Sequence, residues 1–337
     1  MNNIFIIADI GANHDRNYQQ AKQLIDVCVN SKIDAAKFQT YSSETLYSKY
    51  TPDFDQYKKI PDLIKSIELP REWQKPLKEY CDQCDIEFMS TPFDLKAVDE
   101  LMELGMKRFK ISSFESTDEE FVRYVAQTKK PIIFSTGLMK THDLIKTLSW
   151  IIDENPTADI TVLHCVSSYP TPDNQINLNS IFALKEALRD IAIKIDVGFS
   201  DHTIGILAPI ISVGMGVTCI EKHITINKKL SGPDHKFALE PHELKEMTDQ
   251  IRIAEKMLGI KDIITQKCEK EMFKASRSVV ALRNISKGKI IEKDDLITKR
   301  PYLGKEYIHA SEYHELIGKT AKRHIYIDEL IKREWIY

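Results

Sequence analysis

The chain has 337 residues, more than one compact core commonly holds, so a main domain with a smaller companion is expected. Hydrophobic residues at 42% and charged residues at 29% exclude the disordered and membrane-embedded classes. A formal net charge of −3, with both signs interspersed, leaves no basic stripe to neutralise a phosphate backbone, and nucleic acid is excluded as a partner.

The start, MNNIFIIADIG, meets an acidic residue after a short apolar run and has no basic lead or small-residue cleavage pattern; it reads as the first strand of a cytoplasmic protein. Strand-length apolar runs then recur at Ile4 to Ala8, Ala35 to Gln39, Ile86 to Ser90, Arg108 to Ile111, Ile132 to Ser135, Ile160 to His164, Ile193 to Phe199 and Val217 to Lys222. Stretches of helical period alternate with them: Tyr18 to Asn30, Ala97 to Leu104, Asp118 to Gln127, Leu144 to Ile152, Ile181 to Asp190, Ile206 to Gly214 and His242 to Leu258. Eight strands in such alternation predict a (β/α)8 barrel over residues 1–260.

Tyr41 to Leu69 is too long for a routine connection and lacks a sustained period, so it is expected to be a partly ordered loop over the barrel mouth. Residues 261–276 are polar and read as a linker; residues 277–337 carry short β-like runs cut by turn residues and form a small β-rich domain. A core of that size is marginal, so it should gain order by packing on its own barrel or on a neighbouring subunit. Six scattered cysteines suit a reducing compartment. The CxxC at Cys81 and Cys84 lies where a helix runs into a strand, without further ligands, and reads as structural.

Barrel chemistry collects at the carboxyl ends of the strands, and nearly every candidate strand here ends in polar residues. Lys37 and Lys110 sit inside apolar runs; two lysines drawn into one mouth need an anion, which points to a phosphate or carboxylate ligand. Thr91, Ser113, Ser135 and Ser200 supply hydroxyls for charge-assisted hydrogen bonds to it. His202 and His223 end consecutive parallel strands and can converge on one divalent metal, with Asp201 or Asp234 orienting a ring; two imidazoles without a thiolate suit an open, water-completed site. His14 is left open between a site residue and a local turn.

With these residues in place, the sequence resembles the sialic acid (nonulosonate) synthase family through IADIGANH, KFQT, STPFD, STG, YPTP, GFSDHTIG, EKH and GPDHKFALEP. The tail, RSVVALRNISKGKIIEKDDLITKRP with LIGKTAKRHI, is similar to the antifreeze-protein-like (SAF) domain of those synthases. The resemblance implies condensation of phosphoenolpyruvate with an open-chain N-acetylmannosamine-type sugar, with water added and phosphate released, to give a sialic acid. It implies His202 and His223 as metal ligands, with Mn²⁺ as the ion and Mg²⁺ or Co²⁺ as substitutes. It implies Lys37, Thr91, Lys110, Ser113, Ser135 and Ser200 around phosphoenolpyruvate, with Lys110 also counted among the catalytic groups, and Glu115 beside the reacting carbons. Asp9, Gln39, Tyr169 and Asp234 would contact the sugar, and Arg300 would reach in from the tail of a second subunit, implying a domain-swapped homodimer.

Three positions depart from the family pattern: Asp9 stands where Glu is frequent, KISSFE replaces KIPSGE, and Ser167 takes a place commonly held by Asn or Thr. All border the expected pocket. N-acetylneuraminate, made from N-acetylmannosamine, stays the leading product, and a legionaminic or pseudaminic acid synthase using a 6-deoxy-diacetamido hexose is the alternative that these positions bring beside it. A metal-dependent aldolase or a 3-deoxy-sugar-acid synthase on a phosphorylated acceptor is the competing activity. A non-catalytic saccharide-binding protein is the competing class; it predicts loss of the charged ring, whereas both lysines, both histidines and Glu115 are present.

Overall fold

A computed structural model describes residues 3–53 and 58–337. It divides into two compact units, Met1–Gly259 and Ile260–Tyr337.

The first unit holds eight parallel strands: β1 (Phe5–Asp9), β2 (Ala35–Thr40), β3 (Glu87–Pro92), β4 (Phe109–Ile111), β5 (Ile132–Ser135), β6 (Ile160–Cys165), β7 (Ile195–Asp201) and β8 (Cys219–His223). Their order is β3-β2-β1-β8-β7-β6-β5-β4, a cylinder with one seam between β3 and β4, which lie side by side without a hydrogen-bonded ladder among the described residues. The helices are α1 (Tyr18–Asn30), α2 (Ser43–Leu46), α3 (Ile60–Ile67), α4 (Gln74–Gln83), α5 (Leu95–Glu103), α6 (Glu119–Gln127), α7 (Thr141–Glu154), α8 (Ser180–Ala187), α9 (Leu207–Gly214) and α10 (Pro241–Leu258). None of the described helices is long and apolar enough to cross a membrane.

The sequence explains both layers. In α1 the Asn17 side chain accepts from the Gln19 and Gln20 amides at 3.0 and 3.2 Å, and Ala21, Leu24, Ile25 and Cys28 are buried at helical spacing. Along the strands, alternate residues face opposite sides. Ile6, Ala8, Phe38, Phe88, Phe109, Phe134, Phe199 and Ile220 pack outward under the helices. Ile7, Ala35, Met89, Ile133, Leu163 and Cys219 form a separate cluster inside the cylinder. Each of these large side chains, removed from water, contributes about 1.5–3 kcal/mol. Gly198 faces this interior where no side chain fits: a Cβ there would stand 2.5 Å from Leu163 Cδ2 and 2.6 Å from the Cys219 carbonyl.

Strand ends differ from the sequence reading by one or two residues; β7 starts at Ile195 rather than Ile193 and runs on to Asp201. The larger correction concerns Tyr41 to Leu69. It contains two helices, α2 capped by the Ser42 side chain and α3 with proline in its first turn. Their short length hides a period, and tertiary bonds hold them: Tyr41 OH donates to the Ile67 carbonyl at 3.3 Å and Arg16 Nη1 to the Lys65 carbonyl at 2.8 Å. Residues 54–57 of that segment lie outside the described residues.

The second unit pairs β9 (Ser278–Ala281) antiparallel to β10 (Leu296–Lys299). Val279, Ile285, Ile291, Leu296, Ile325 and Ile331 are among its core. Fully buried Asp295 binds both Arg283 Nε and Lys289 Nζ at 2.6 Å and accepts from the Glu292 amide at 2.9 Å.

Candidate active site

Two residues above the interior cluster, the same inward-facing rows become polar. Above Ile7 stands Asp9, above Ala35 stand Lys37 and Gln39, above Met89 stands Thr91, above Ile133 stands Ser135, and above Cys219 stand Glu221 and His223. Period-two alternation therefore delivers these side chains to one mouth, and the short β4 places Lys110 inward between outward Phe109 and Ile111.

On one side lies a buried charge network. Lys37 Nζ is 2.8 Å from Asp9 Oδ2, 3.7 Å from Glu221 Oε2 and 3.2 Å from Thr91 Oγ1. Lys110 Nζ donates to Ser135 Oγ at 2.7 Å and is 3.6 Å from Glu221 Oε1, which accepts from Ser200 Oγ at 2.8 Å. Burial opposes ionisation of Asp9 and Glu221, yet the neighbouring lysines, with His223 beside Asp9, hold both carboxyls below their ordinary range. Burial likewise works against the Lys37 ammonium, and Asp9 and Glu221 outweigh it and raise its pKa.

This modifies the sequence argument. The counter-ions that two inward lysines demand are supplied by the chain itself, so desolvation alone does not call for an external anion. Glu221, which joins the two lysines, is the site residue to which no role was assigned from the sequence. Its position two residues before His223 on an inward row was the available signal.

On the other side the walls are aromatic. The rings of His202 and His223 are 5.4 Å apart; Tyr169 lies 4.3 Å from His202 and Phe237 5.2 Å from His223. His202 Nδ1 meets the Val166 carbonyl at 2.9 Å, which leaves Nε2 as the free nitrogen. Burial disfavours the charged form of His202, but Cys165 and the Val166 carbonyl outweigh it and raise the pKa to about 9. Burial lowers that of His223. His223 Nε2 is 3.3 Å from Asp9 Oδ2, and Nδ1 is buried without a hydrogen-bond partner, 3.8 Å from Asp234 Oδ2.

A divalent ion fits this donor set. Two imidazole rings lie side by side, tilted at 52° with centres 5.4 Å apart, one carries a buried nitrogen without a hydrogen bond, and no three His, Cys, Asp or Glu side chains among the described residues form a closed cage. Such a site is completed by water or substrate rather than by protein.

Glu115 sits at the rim, half-buried, hydrogen-bonded to Ser112 Oγ; burial raises its pKa. Ser113 Oγ accepts from the Gly137 amide at 3.0 Å. A Cβ on Gly137 would come within 2.1 Å of Ser167 Oγ and 2.7 Å of Ser113 Oγ, so glycine there lets the two hydroxyls approach, and Ser167 Oγ has no partner. Gln39 Nε2 reaches Asp9 Oδ2 at 3.5 Å.

His14 resolves to the turn: buried, it accepts from the Arg16 amide at 3.0 Å through Nδ1, and burial lowers its pKa to about 4. Arg300 lies in the second unit, exposed just after β10. The remaining site candidates all belong to the barrel unit.

A parallel eight-stranded barrel with an ionic pocket beside a pair of neighbouring imidazoles defines a barrel-enzyme class of site. Comparison with known proteins then gives the family: the model described as NeuB family matches residues 24–262 and that of the SAF domain matches residues 276–334, and the chain belongs to the NeuB family. It is 38% identical to the N,N'-diacetyllegionaminic acid synthase of Campylobacter jejuni, over 98% of this chain and 100% of that one. It is 34% identical to a pseudaminic acid synthase of Campylobacter jejuni, over 98% and 96%. Among solved structures, the N-acetylneuraminic acid synthetase of Leptospira borgpetersenii in complex with citrate matches with a TM-score of 0.73 and 31% identity, covering 80% of this chain and 90% of that one.

Proposed function

We propose that the chain is a nonulosonic acid synthase that condenses phosphoenolpyruvate with an amino-sugar aldehyde. A carbon–carbon bond forms between the methylene carbon of phosphoenolpyruvate and the aldehyde carbon, water adds at the former enol carbon, and phosphate leaves. The observation that carries this reading is the meeting, in one mouth, of the Lys37–Lys110 pocket with the His202–His223 pair.

Lys37, Lys110, Thr91, Ser113, Ser135 and Ser200 hold the carboxylate and phosphate of phosphoenolpyruvate with charge-assisted hydrogen bonds. Asp9, Gln39, Tyr169 and Asp234 hold the sugar, and Arg300 contributes from the tail of a second subunit in a domain-swapped dimer. Glu115, its pKa raised by burial, takes a proton from the attacking water. His202 and His223 would hold Mn²⁺, with Mg²⁺ or Co²⁺ as substitutes; when bound, the ion supplies Lewis acidity toward the sugar aldehyde.

For the acceptor, similarity to a legionaminic acid synthase over the whole of both chains favours a 6-deoxy-diacetamido hexose over the N-acetylmannosamine toward which the sequence pattern leaned. Exposed Phe114, where a glycine would leave space, is the side chain whose removal tests this choice.

The test is phosphate release from phosphoenolpyruvate with Mn²⁺ across N-acetylmannosamine and its 6-deoxy-diacetamido relatives, with and without chelator, with product mass. Chelator-sensitive release with one unphosphorylated sugar is expected. Release only with a phosphorylated acceptor would overturn the reading, and full turnover by Glu115→Gln would remove the role given to Glu115.

A further inference from the structure

The connection from β8 to α10, residues 224–240, carries Asp234 and Phe237 toward His223. Its ends are tied together: the Thr225 amide donates to the Leu239 carbonyl and the Leu239 amide to the His223 carbonyl, both at 2.9 Å. At its tip His235 is fully buried. His235 Nδ1 meets Thr225 Oγ1 at 2.7 Å and Nε2 meets Asp15 Oδ1 at 3.0 Å. Asp15 Oδ2 accepts from Gln20 Nε2 at 2.7 Å, and the same amide donates to the Asn13 carbonyl at 2.7 Å.

The ring is thus a strut between the foot of its own loop and the β1–α1 connection. It cannot turn without leaving its own two buried ring nitrogens unpaired. Gly232 admits it, since a Cβ there would stand 2.7 Å from His235 Cδ2 and 3.0 Å from Nε2. Asp234, the preceding residue, has no hydrogen bond to its carboxylate among the described residues and lies 3.8 Å from His223 Nδ1. Its placement therefore depends on the backbone that His235 anchors.

We infer that His235 is a positioning residue: braced by Asp15 and Thr225 and admitted by Gly232, it sets Asp234 where the hydroxyls of the acceptor sugar bind. This rests on the proposed synthase reading, in which Asp234 faces the sugar. His235 itself touches neither substrate.

The experiment is steady-state kinetics on the full-length enzyme with each substrate varied in turn, for wild type, Asp234→Ala, His235→Phe, His235→Gln and Gly232→Ala, with amide exchange of residues 224–240 measured alongside. A small displacement of a binding group is enough to raise acceptor KM about tenfold. That rise is expected in His235→Phe and Gly232→Ala, with the KM of phosphoenolpyruvate unchanged and partial recovery in His235→Gln, which keeps one of the two hydrogen bonds. Gly232→Ala and His235→Gln carry the test if His235→Phe does not fold. Faster loop exchange with unchanged acceptor KM would reduce the strut to a stability element and overturn the inference, as would equal rises in both KM values. Asp234→Ala without effect on acceptor KM would remove the reading of Asp234 itself. An effect there but none in the His235 and Gly232 variants would overturn the inference alone, and wild type inactive on every amino sugar would remove both.

Discussion

The two halves of the barrel mouth solve the problem of burying polar groups in opposite ways. Around β2, β4 and β8, charge is balanced internally: Lys37 and Lys110 face Asp9 and Glu221, and hydroxyls take up the remaining donors. Around β7 and β8 the balance is left open: aromatic rings surround two imidazoles, and His223 Nδ1 has no hydrogen-bond partner among the described residues. A self-neutral cluster is a pre-formed mould that a ligand must rearrange electrostatically. A buried nitrogen without a hydrogen bond, by contrast, keeps its lone pair or proton available to whatever binds beside it.

The comparison breaks most visibly if the ionic half tolerates dissection. Lys37→Met leaves Asp9 and Glu221 short of a counter-charge and should cost about 3–5 kcal/mol in denaturant unfolding, with turnover lost. Adding Glu221→Gln should restore part of the stability and none of the turnover. Full additivity of the two substitutions would show that no quartet exists.

Next in size is a contrast between imidazoles. His14 is buried neutral, its pKa lowered by burial from 6.5 to about 4, so the native state resists protonation that the unfolded chain accepts. Stability present above pH 6.5 should decline as pH falls toward 4, by up to about 3 kcal/mol. His14→Asn, which keeps an acceptor for the Arg16 amide, should flatten that decline; an unchanged slope would assign it elsewhere.

If the proposed reading holds, His223→Ala, on the open side, should weaken Mn²⁺ binding roughly a hundredfold by chelator competition, because it removes one of the two proposed imidazole donors. Its thermal midpoint without metal should move less than that of Lys37→Met, since no buried charge is stranded. The reverse ranking would erase the distinction between the halves. Smallest of all, Phe114→Gly removes a ring that is 55% exposed and should alter stability by about 0.5 kcal/mol or less while shifting the ratio of acceptor efficiencies.

Much of the barrel was legible because its strands are continuous apolar runs that end in polar residues, and α1 carries both a cap and a clean period. The helices α2 and α3 were not, since four- and eight-residue helices depend on caps and tertiary bonds rather than on a sustained stripe. In the site, residue types at strand ends could be read one by one. Partnerships could not: that Glu221 bridges Lys37 and Lys110 depends on which strands become neighbours after closure. The same holds for Asp15 and His235, 220 positions apart in the chain.

The seam between β3 and β4 gives the cylinder a clasp. Below the mouth it is pinned by Arg108, whose Nε and Nη2 grip the two oxygens of Glu87 at 2.8 and 3.3 Å while its guanidinium lies 4.4 Å from the Phe5 ring. Above, the stave carrying Lys110 is only three residues long and is laddered to β5 alone. A ligand that spans Lys37 and Thr91 on one side and Lys110 on the other would act as the second pin, so its occupancy should be readable in slowed amide exchange along β3 and β4.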